Sequence, residues 1–326
     1  MQDNLGRNIN YIRVSITDRC NLRCRYCMPE EGLSLKPHKD ILRLEEIARL
    51  IKIGADLGIS KVRFTGGEPL IRRGLVHLIS MVASVPIIDD IALTTNGLMF
   101  ASMVDDLKTA GLNRVNISLD TLNAERYSYI TRGGSLAQAI SGLEAAIAYD
   151  LHPVKINTVV INGFNDDEVL SFCKLAYDLP VHVRFIEFMP VGELAFWQGE
   201  RLLSADDIKT VIEEKYSLQP GKIGQGNGPA KYYNMDGGQG SIGFITPMSH
   251  HFCSECNRLR LTSDGKLRAC LYNNEETDLQ QALRDGLNDE EIKDLFIKTI
   301  ALKPEKHSMT DKAWGKDNRK MYQIGG

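Results

Sequence analysis

Short β-branched runs alternate with longer amphipathic stretches through most of this chain. Strands are predicted at 11–16, 61–65, 91–94, 114–119, 154–161 and 182–187. Between them apolar residues recur at helical spacing, as in LEEIARLIKIGADLGI from Leu44 and SLAQAISGLEAAIAYD from Ser135. Strands and helices in this alternation predict parallel strands joined by right-handed crossovers. Six such units make either a partial barrel, short of the eight of a closed one, or a doubly wound sheet. Periodicity does not separate the two. Beyond about residue 216 the pattern changes, and Gly, Pro, Asn and Gln become frequent from Gln219 to Gly240. A boundary there divides the chain into 1–218 and 219–326.

The chemically suggestive residues collect at the C-terminal ends of the predicted strands. Cys20, Cys24 and Cys27 follow the first in a CxxxCxxC spacing, with Tyr26 before the last cysteine. Gly66-Gly67-Glu68-Pro69 follows the second, and Thr94-Thr95-Asn96-Gly97 ends the third. Ser118-Leu119-Asp120 ends the fourth, and Glu187-Phe188-Met189-Pro190 the sixth. One such tetrapeptide is only a turn, but several on one predicted edge outline a bowl where parallel α/β folds build active sites.

Three thiolates this close can hold three corners of an iron–sulfur cube and leave the fourth iron without a protein ligand. Structural zinc wants four ligands and this loop offers three, while a disulfide would leave one thiol over. Gly66 and Gly67 allow a backbone to approach a ligand closely, although alone they read as a strand–helix turn with Pro at a helix start. Arg13, Arg63 and Lys155 interrupt strand patterns. A charge in a strand buried on both faces must be paired or bind something, which points them at an anionic substrate. The plainer reading has them snorkel at strand ends.

Composition narrows the class without choosing the chemistry. The 326 residues are 43% hydrophobic and 25% charged with a net charge of −3, an ordinary soluble balance without a global nucleic-acid footprint. No apolar run reaches the roughly 18 residues of a membrane span, and MQDNLGRN lacks the core of a signal peptide. The seven cysteines form two triads plus Cys173, which fits a reducing cytoplasm and metal ligation better than secretion. Cys173 lies in an apolar helical pattern and reads as core.

The second triad is Cys253, Cys256 and Cys270. A second three-thiolate cluster and a zinc ion completed by His250 or His251 fit the local sequence equally. Between these cysteines RLRLT, a Ser263-Asp264-Gly265 turn and KLRAC read as a hairpin. Strand parity places Cys256, Arg258 and Arg260 on one face, with Leu259 and Leu261 on the other, and keeps Lys266, Arg268 and Cys270 together. A cationic face beside a metal site suits a triphosphate, because guanidinium forks match phosphate geometry. The alternative is a solvated basic hairpin.

The CxxxCxxC loop with Tyr26 resembles the signature of the radical S-adenosylmethionine (SAM) superfamily, in which the open iron chelates SAM and its cleavage releases a 5′-deoxyadenosyl radical. Over the whole chain the resemblance is to the GTP-cyclising family of molybdenum cofactor biosynthesis. It rests on LGRNINYIRVSITDRCNLRCRYCMP, FTGGEPL, LTTNG, NISLD, EFMPVG, GPAKYY, IGFITPMSHHFCSECNRLRLTSDGKLRACL and the final Gly325-Gly326. It implies a partial (β/α)6 TIM-like barrel whose open side is closed by a C-terminal α+β region. It implies one [4Fe–4S] cluster on Cys20, Cys24 and Cys27, and a second on Cys253, Cys256 and Cys270 whose open iron binds guanine. SAM would meet Tyr26, Gly67, Ser118 and Met189. GTP would meet Arg13, Arg63, Thr94, Lys155, Arg258 and Arg260. Cys20, Cys24, Cys27, Arg258 and Arg260 carry the expected catalytic roles, and the double-glycine tail would enter the site. The implied reaction takes hydrogen from C3′ of GTP and joins C3′ to guanine C8. An external electron donor, a separate pterin-forming enzyme that takes the product, and a homodimer are the partners in keeping with this family. Two rival readings are a radical SAM peptide maturase with an auxiliary cluster, and a zinc-stapled nucleotide- or RNA-binding module.

Overall fold

The computed structural model describes residues 1–32, 36–191, 196, 199–221, 228–307 and 319–325. Six strands, β1 (Tyr11–Ser15), β2 (Lys61–Thr65), β3 (Asp90–Thr95), β4 (Arg114–Ser118), β5 (Val154–Val160) and β6 (Val181–Glu187), lie side by side in chain order. Each is parallel to the next. Consecutive order without a reversal is barrel-like and removes the doubly wound alternative, whose strand order turns back at a switch point.

The strands alternate strictly. Ile12, Val14, Val62, Phe64, Ile91, Leu93, Val115, Ile117, Ile156, Val183 and Phe185 are buried in one large core. Period-2 geometry turns the intervening residues, including Arg13, Arg63, Thr94, Ser118, Asn157 and Arg184, to the opposite face, where they line a cavity. The helices supply the other half of the core. Helix Leu44–Asp56, for example, buries Ile47, Leu50, Ile51 and Ile53. Helix Asp289–Ala301 buries Ile292, Phe296 and Ile300 in the same cluster. Cys173 is fully buried there, as its pattern predicts.

Beyond residue 217 come β7 (Leu218–Gly221), β8 (Lys231–Met235), β9 (Ser241–Ile245), β10 (Arg258–Leu261), β11 (Lys266–Arg268) and β12 (Thr277–Asp278). β9 pairs in parallel with β6, and β10 pairs in parallel with β1. The sheet order is β12-β11-β10-β1-β2-β3-β4-β5-β6-β9-β8-β7, and no pairing joins its two ends among the described residues. The later part of the chain thus covers both edges that six β/α units alone would leave with open backbone groups. It also carries the second triad to the first, because β10 lies directly against β1.

One buried ion pair secures the sheet. Arg114, 1% exposed, donates from Nε and Nη2 to the two carboxylate oxygens of Asp90 at 2.7 and 2.6 Å. Removing one partner of such a pair leaves a buried charge without its counterion. Asp90→Ala is expected to destabilise the fold by about 3–5 kcal/mol, read as a lowered urea midpoint in anaerobic unfolding.

Candidate active site with two cysteine triads

A cavity of about 330 Å³ opens at the C-terminal ends of the parallel strands, and all six triad cysteines line it. The first triad sits on the loop after β1. Arg23 N and Arg25 N donate to Thr131 O and Ile130 O at 3.1 and 2.9 Å, and Cys27 N closes a turn on Cys24 O at 2.9 Å. Arg132 adds bonds from Nη1 to Arg23 O and Met28 O at 3.0 and 2.8 Å. No disulfide joins these thiols, which are half-buried. Burial raises Cys20 to about 11, and burial together with the neighbouring Cys27 raises Cys24 well above the ordinary value. Three such thiols ionise together only beside added positive charge, which is the chemistry of a metal-cluster site.

Gly66 and Gly67 line the same cavity, but the close approach that demands glycine is to the cysteine loop itself. A Cβ on Gly66 would stand 2.3 Å from Thr17 O, and one on Gly67 2.2 Å from Arg19 O. Gly67 N and Glu68 N donate to those same carbonyls at 2.7 and 2.8 Å. Glu68 is a residue to which the motif alone assigns no role. Its buried carboxylate accepts from Leu70 N at 3.0 Å, and from Thr95 Oγ1 and Asn96 N at 2.8 Å each, tying the ends of β2 and β3 together. Burial lifts it to about 7 against those bonds. Tyr26 donates its hydroxyl to Asp120 Oδ2 at 2.6 Å, and Asp120 Oδ1 accepts from Val159 N at 2.9 Å. Ser118 and Met189 line the wall on the same side of the sheet.

Opposite lies the second triad. Cys253 and Cys256 bracket a short turn with Cys256 N on Cys253 O at 3.1 Å, and Cys270 follows β11. Burial works against ionisation of Cys256, but Arg258 and Lys303 outweigh it and bring the thiol down to about 6. Neither histidine named as a zinc ligand lines the cavity. His250 Nε2 pairs with Asp206 at 2.9 Å and His251 Nδ1 with His307 at 3.0 Å. Among the described residues no three His, Cys, Asp or Glu side chains converge as ligands of one metal ion. A cube takes each thiolate on a different iron, so its ligands stand farther apart than those of a zinc ion.

Of the cations chosen from sequence, Arg13, Arg63, Arg258 and Arg260 line the cavity, and Thr94 joins them. Lys155 does not line it. It is buried, and desolvation together with Arg184, Arg114 and Arg63 lowers its ammonium to about 5. Arg184 and Asn157 do line the cavity, although the sequence pattern had not singled them out. Arg184 interrupts the VHVRFIE strand just as Arg63 interrupts KVRFT, so the signal was there. Arg63 Nε and Arg184 Nε are buried without a hydrogen-bond partner, a cradle suited to an anion. Arg268 shares the hairpin parity but is spent elsewhere, donating to Glu276 Oε1 at 3.0 Å and Leu271 O at 3.2 Å. Arg260 Nη1 reaches Ile324 O at 3.3 Å and also bonds Gly325 O. The tail therefore meets the cavity wall, while Gly326 lies outside the described residues.

Comparison with known proteins agrees with this geometry. Residues 14–176 match the Radical SAM superfamily model, and residues 181–309 match Molybdenum Cofactor Synthesis C. Among solved structures, Streptococcus suis SuiB bound to precursor peptide SuiA gives a TM-score of 0.60 at 13% identity, covering 89% of this chain and 68% of that one. The same protein bound to S-adenosylmethionine gives 0.55 at 14% identity, covering 88% and 68%. Fold and cysteine loop together define a radical SAM enzyme. The chain is 59% identical to the GTP 3′,8-cyclase of Syntrophomonas wolfei and 53% identical to that of Pelotomaculum thermopropionicum, in each case over 100% of both chains. It belongs to the GTP 3′,8-cyclase family, which sets aside the peptide-maturase and zinc-module readings. No helix among the described residues is long and apolar enough to cross a membrane.

The buried ammonium yields a pH prediction. Unfolded, Lys155 holds its proton to its ordinary value of 10.5; folded, it releases it at about 5. Between those values the unfolded state binds more protons, so Lys155 makes stability rise with pH. Lys155→Met is expected to flatten that rise and to stabilise the ligand-free fold most at low pH, where burying the amine costs most. Urea midpoints across the pH range check both.

Proposed function

We propose that this chain holds SAM and GTP in one cavity and cyclises GTP to 3′,8-cyclo-7,8-dihydro-GTP, the first step of molybdenum cofactor biosynthesis. The observation that carries this reading is the convergence of both triads and Arg13, Arg63, Arg258 and Arg260 on a single cavity. Cys20, Cys24 and Cys27 hold a [4Fe–4S] cluster, and Tyr26, Gly67, Ser118 and Met189 seat SAM against it. Cys253, Cys256 and Cys270 hold a second cluster facing guanine. When bound, the first cluster and SAM would supply a 5′-deoxyadenosyl radical to take the C3′ hydrogen of GTP; after C3′ joins C8, one electron from the external donor and one proton would complete the dihydro product.

The chain's own work is placement and shielding. Arg13, Arg63, Arg258 and Arg260, with Thr94, grip the triphosphate and ribose, and Arg184 extends that grip toward Lys155. Asp120 fixes the Tyr26 hydroxyl and so the ring beside the adenine. Phe188, Met28 and Leu22 keep the cysteine loop dry on its inner side. A primary radical attacks what is nearest, so position decides the product. An external electron donor, a separate enzyme that consumes the product, a homodimer and a cytoplasmic setting complete this reading.

GTP deuterated at C3′ tests it directly. Incubated anaerobically with reconstituted protein, SAM and a reductant, it is expected to yield 5′-deoxyadenosine carrying deuterium by mass spectrometry. Undeuterated 5′-deoxyadenosine would reject abstraction at C3′, and none from iron-replete protein would reject radical cleavage of SAM. Arg63→Ala and Arg184→Ala are each expected to weaken GTP binding about 10- to 100-fold, the value of hydrogen bonds to charged groups. SAM affinity, measured in parallel, is expected to stay unchanged.

A further inference from the structure

Lys303 follows helix Asp289–Ala301 and, beyond its charge near Cys256, has no part in the site described above. It is 7% exposed. Its ammonium donates to Arg258 O at 2.8 Å and to Ala269 O at 2.6 Å, and its charge lies near the Cys256 sulfur. Both bonds go to backbone that flanks the second triad. Arg258 lies two residues after Cys256, and Ala269 immediately precedes Cys270.

The backbone of Lys303 is held in turn. Arg7 Nη2 donates to Lys303 O at 3.2 Å, while Arg7 Nη1 donates to Cys253 O at 2.9 Å and Glu305 O at 3.4 Å. Arg7 is itself fixed by the buried carboxylate of Asp3, with Nε on Oδ2 at 2.6 Å. Through these bonds the N-terminal turn and the segment after the last long helix reach backbone at or close to each part of the triad. Besides joining those two carbonyls, the ammonium brings a positive charge close to Cys256.

We propose that Lys303 is a positioning residue of the second triad: its ammonium ties the backbone after Cys256 to the backbone before Cys270 and places a positive charge beside them, raising the reduction potential of the cluster bound there. This rests on the reading that the second triad holds a cluster. A cation beside a thiolate ligand favours the reduced, more negative cluster, so removing it lowers the potential.

The test uses the anaerobically reconstituted full chain with Cys20, Cys24 and Cys27 all replaced by Ala, so that iron and EPR signal report the second triad alone. About four irons per chain are expected. In that background Lys303→Gln keeps an amide for the two carbonyls but removes the charge. It is expected to retain iron and to shift the reduction equilibrium at least tenfold, about 59 mV downward for one electron. Lys303→Arg is expected to restore the potential. An unchanged potential in Lys303→Gln with full iron would overturn the proposal while leaving the second cluster intact. No iron in the Lys303-containing protein would overturn the cluster reading and this inference together. Pulsed EPR of the reduced cluster in protein carrying ¹⁵N-lysine needs no Lys303 variant to fold. A nitrogen coupling is expected, and its absence would overturn the proposal.

Discussion

Like charges crowd the inner face of the sheet, and the surrounding architecture answers to that crowding. Arg13, Arg63, Arg184 and Arg260 are all turned inward, and Lys155 lies close to them. Desolvation first, then mutual repulsion, lowers Arg260 to about 9, and Arg63 falls to about 10 mainly through burial. Such an arrangement costs stability in the empty protein and is relieved by a polyanion. The fold supports it with partial compensation: the Asp90–Arg114 pair, the Tyr11 ring 5.6 Å from the Arg63 guanidinium, and a wide apolar core on the opposite face. Strand alternation is what keeps these two environments one residue apart.

The two triads use the same side chain in opposite fields. Around Cys20 and Cys24 the neighbours are other thiols and acidic groups such as Glu68 and Asp120, and burial holds the thiols protonated. Beside Cys256 stand Arg258 and Lys303, and the thiol ionises readily. The first loop therefore depends on the charge of what it binds, whereas in the second the protein prepares Cys256 while burial still raises Cys253. That difference suits one site where SAM brings its own positive sulfonium and another where an anionic nucleotide arrives. The route by which the second triad reaches the cavity is the parallel pairing of β10 with β1, which sets Arg260 beside Arg13.

Local features are legible in the chain itself. The six central strands, the cysteine spacings, the hairpin of Arg258 to Arg268 and the charged interruptions at Arg13 and Arg63 each depend on residues close in sequence. Arg184 obeys the same rule and is readable in principle. Pattern alone does not show surroundings that come from afar. Lys155 is buried outside the cavity lining with Arg184, Arg114 and Arg63 as charged neighbours, and Arg268 pairs with Glu276. Gly67 lines the cavity and is also required by the close approach of the Arg19 backbone on the cysteine loop.

Element types, the edge on which the chemistry collects and the family all follow from the order of residues, because periodicity, turn residues and thiol spacing are short-range properties. Folding in three dimensions was needed to settle that β9 and β10 complete the two edges of the sheet, that both triads share one cavity, and that Lys303 and Arg7 reach the second triad. Those outcomes depend on pairing and burial between segments up to nearly the whole chain apart, such as Arg7 with Cys253 and Lys303. No local pattern encodes which distant backbone carbonyl a buried cation will find.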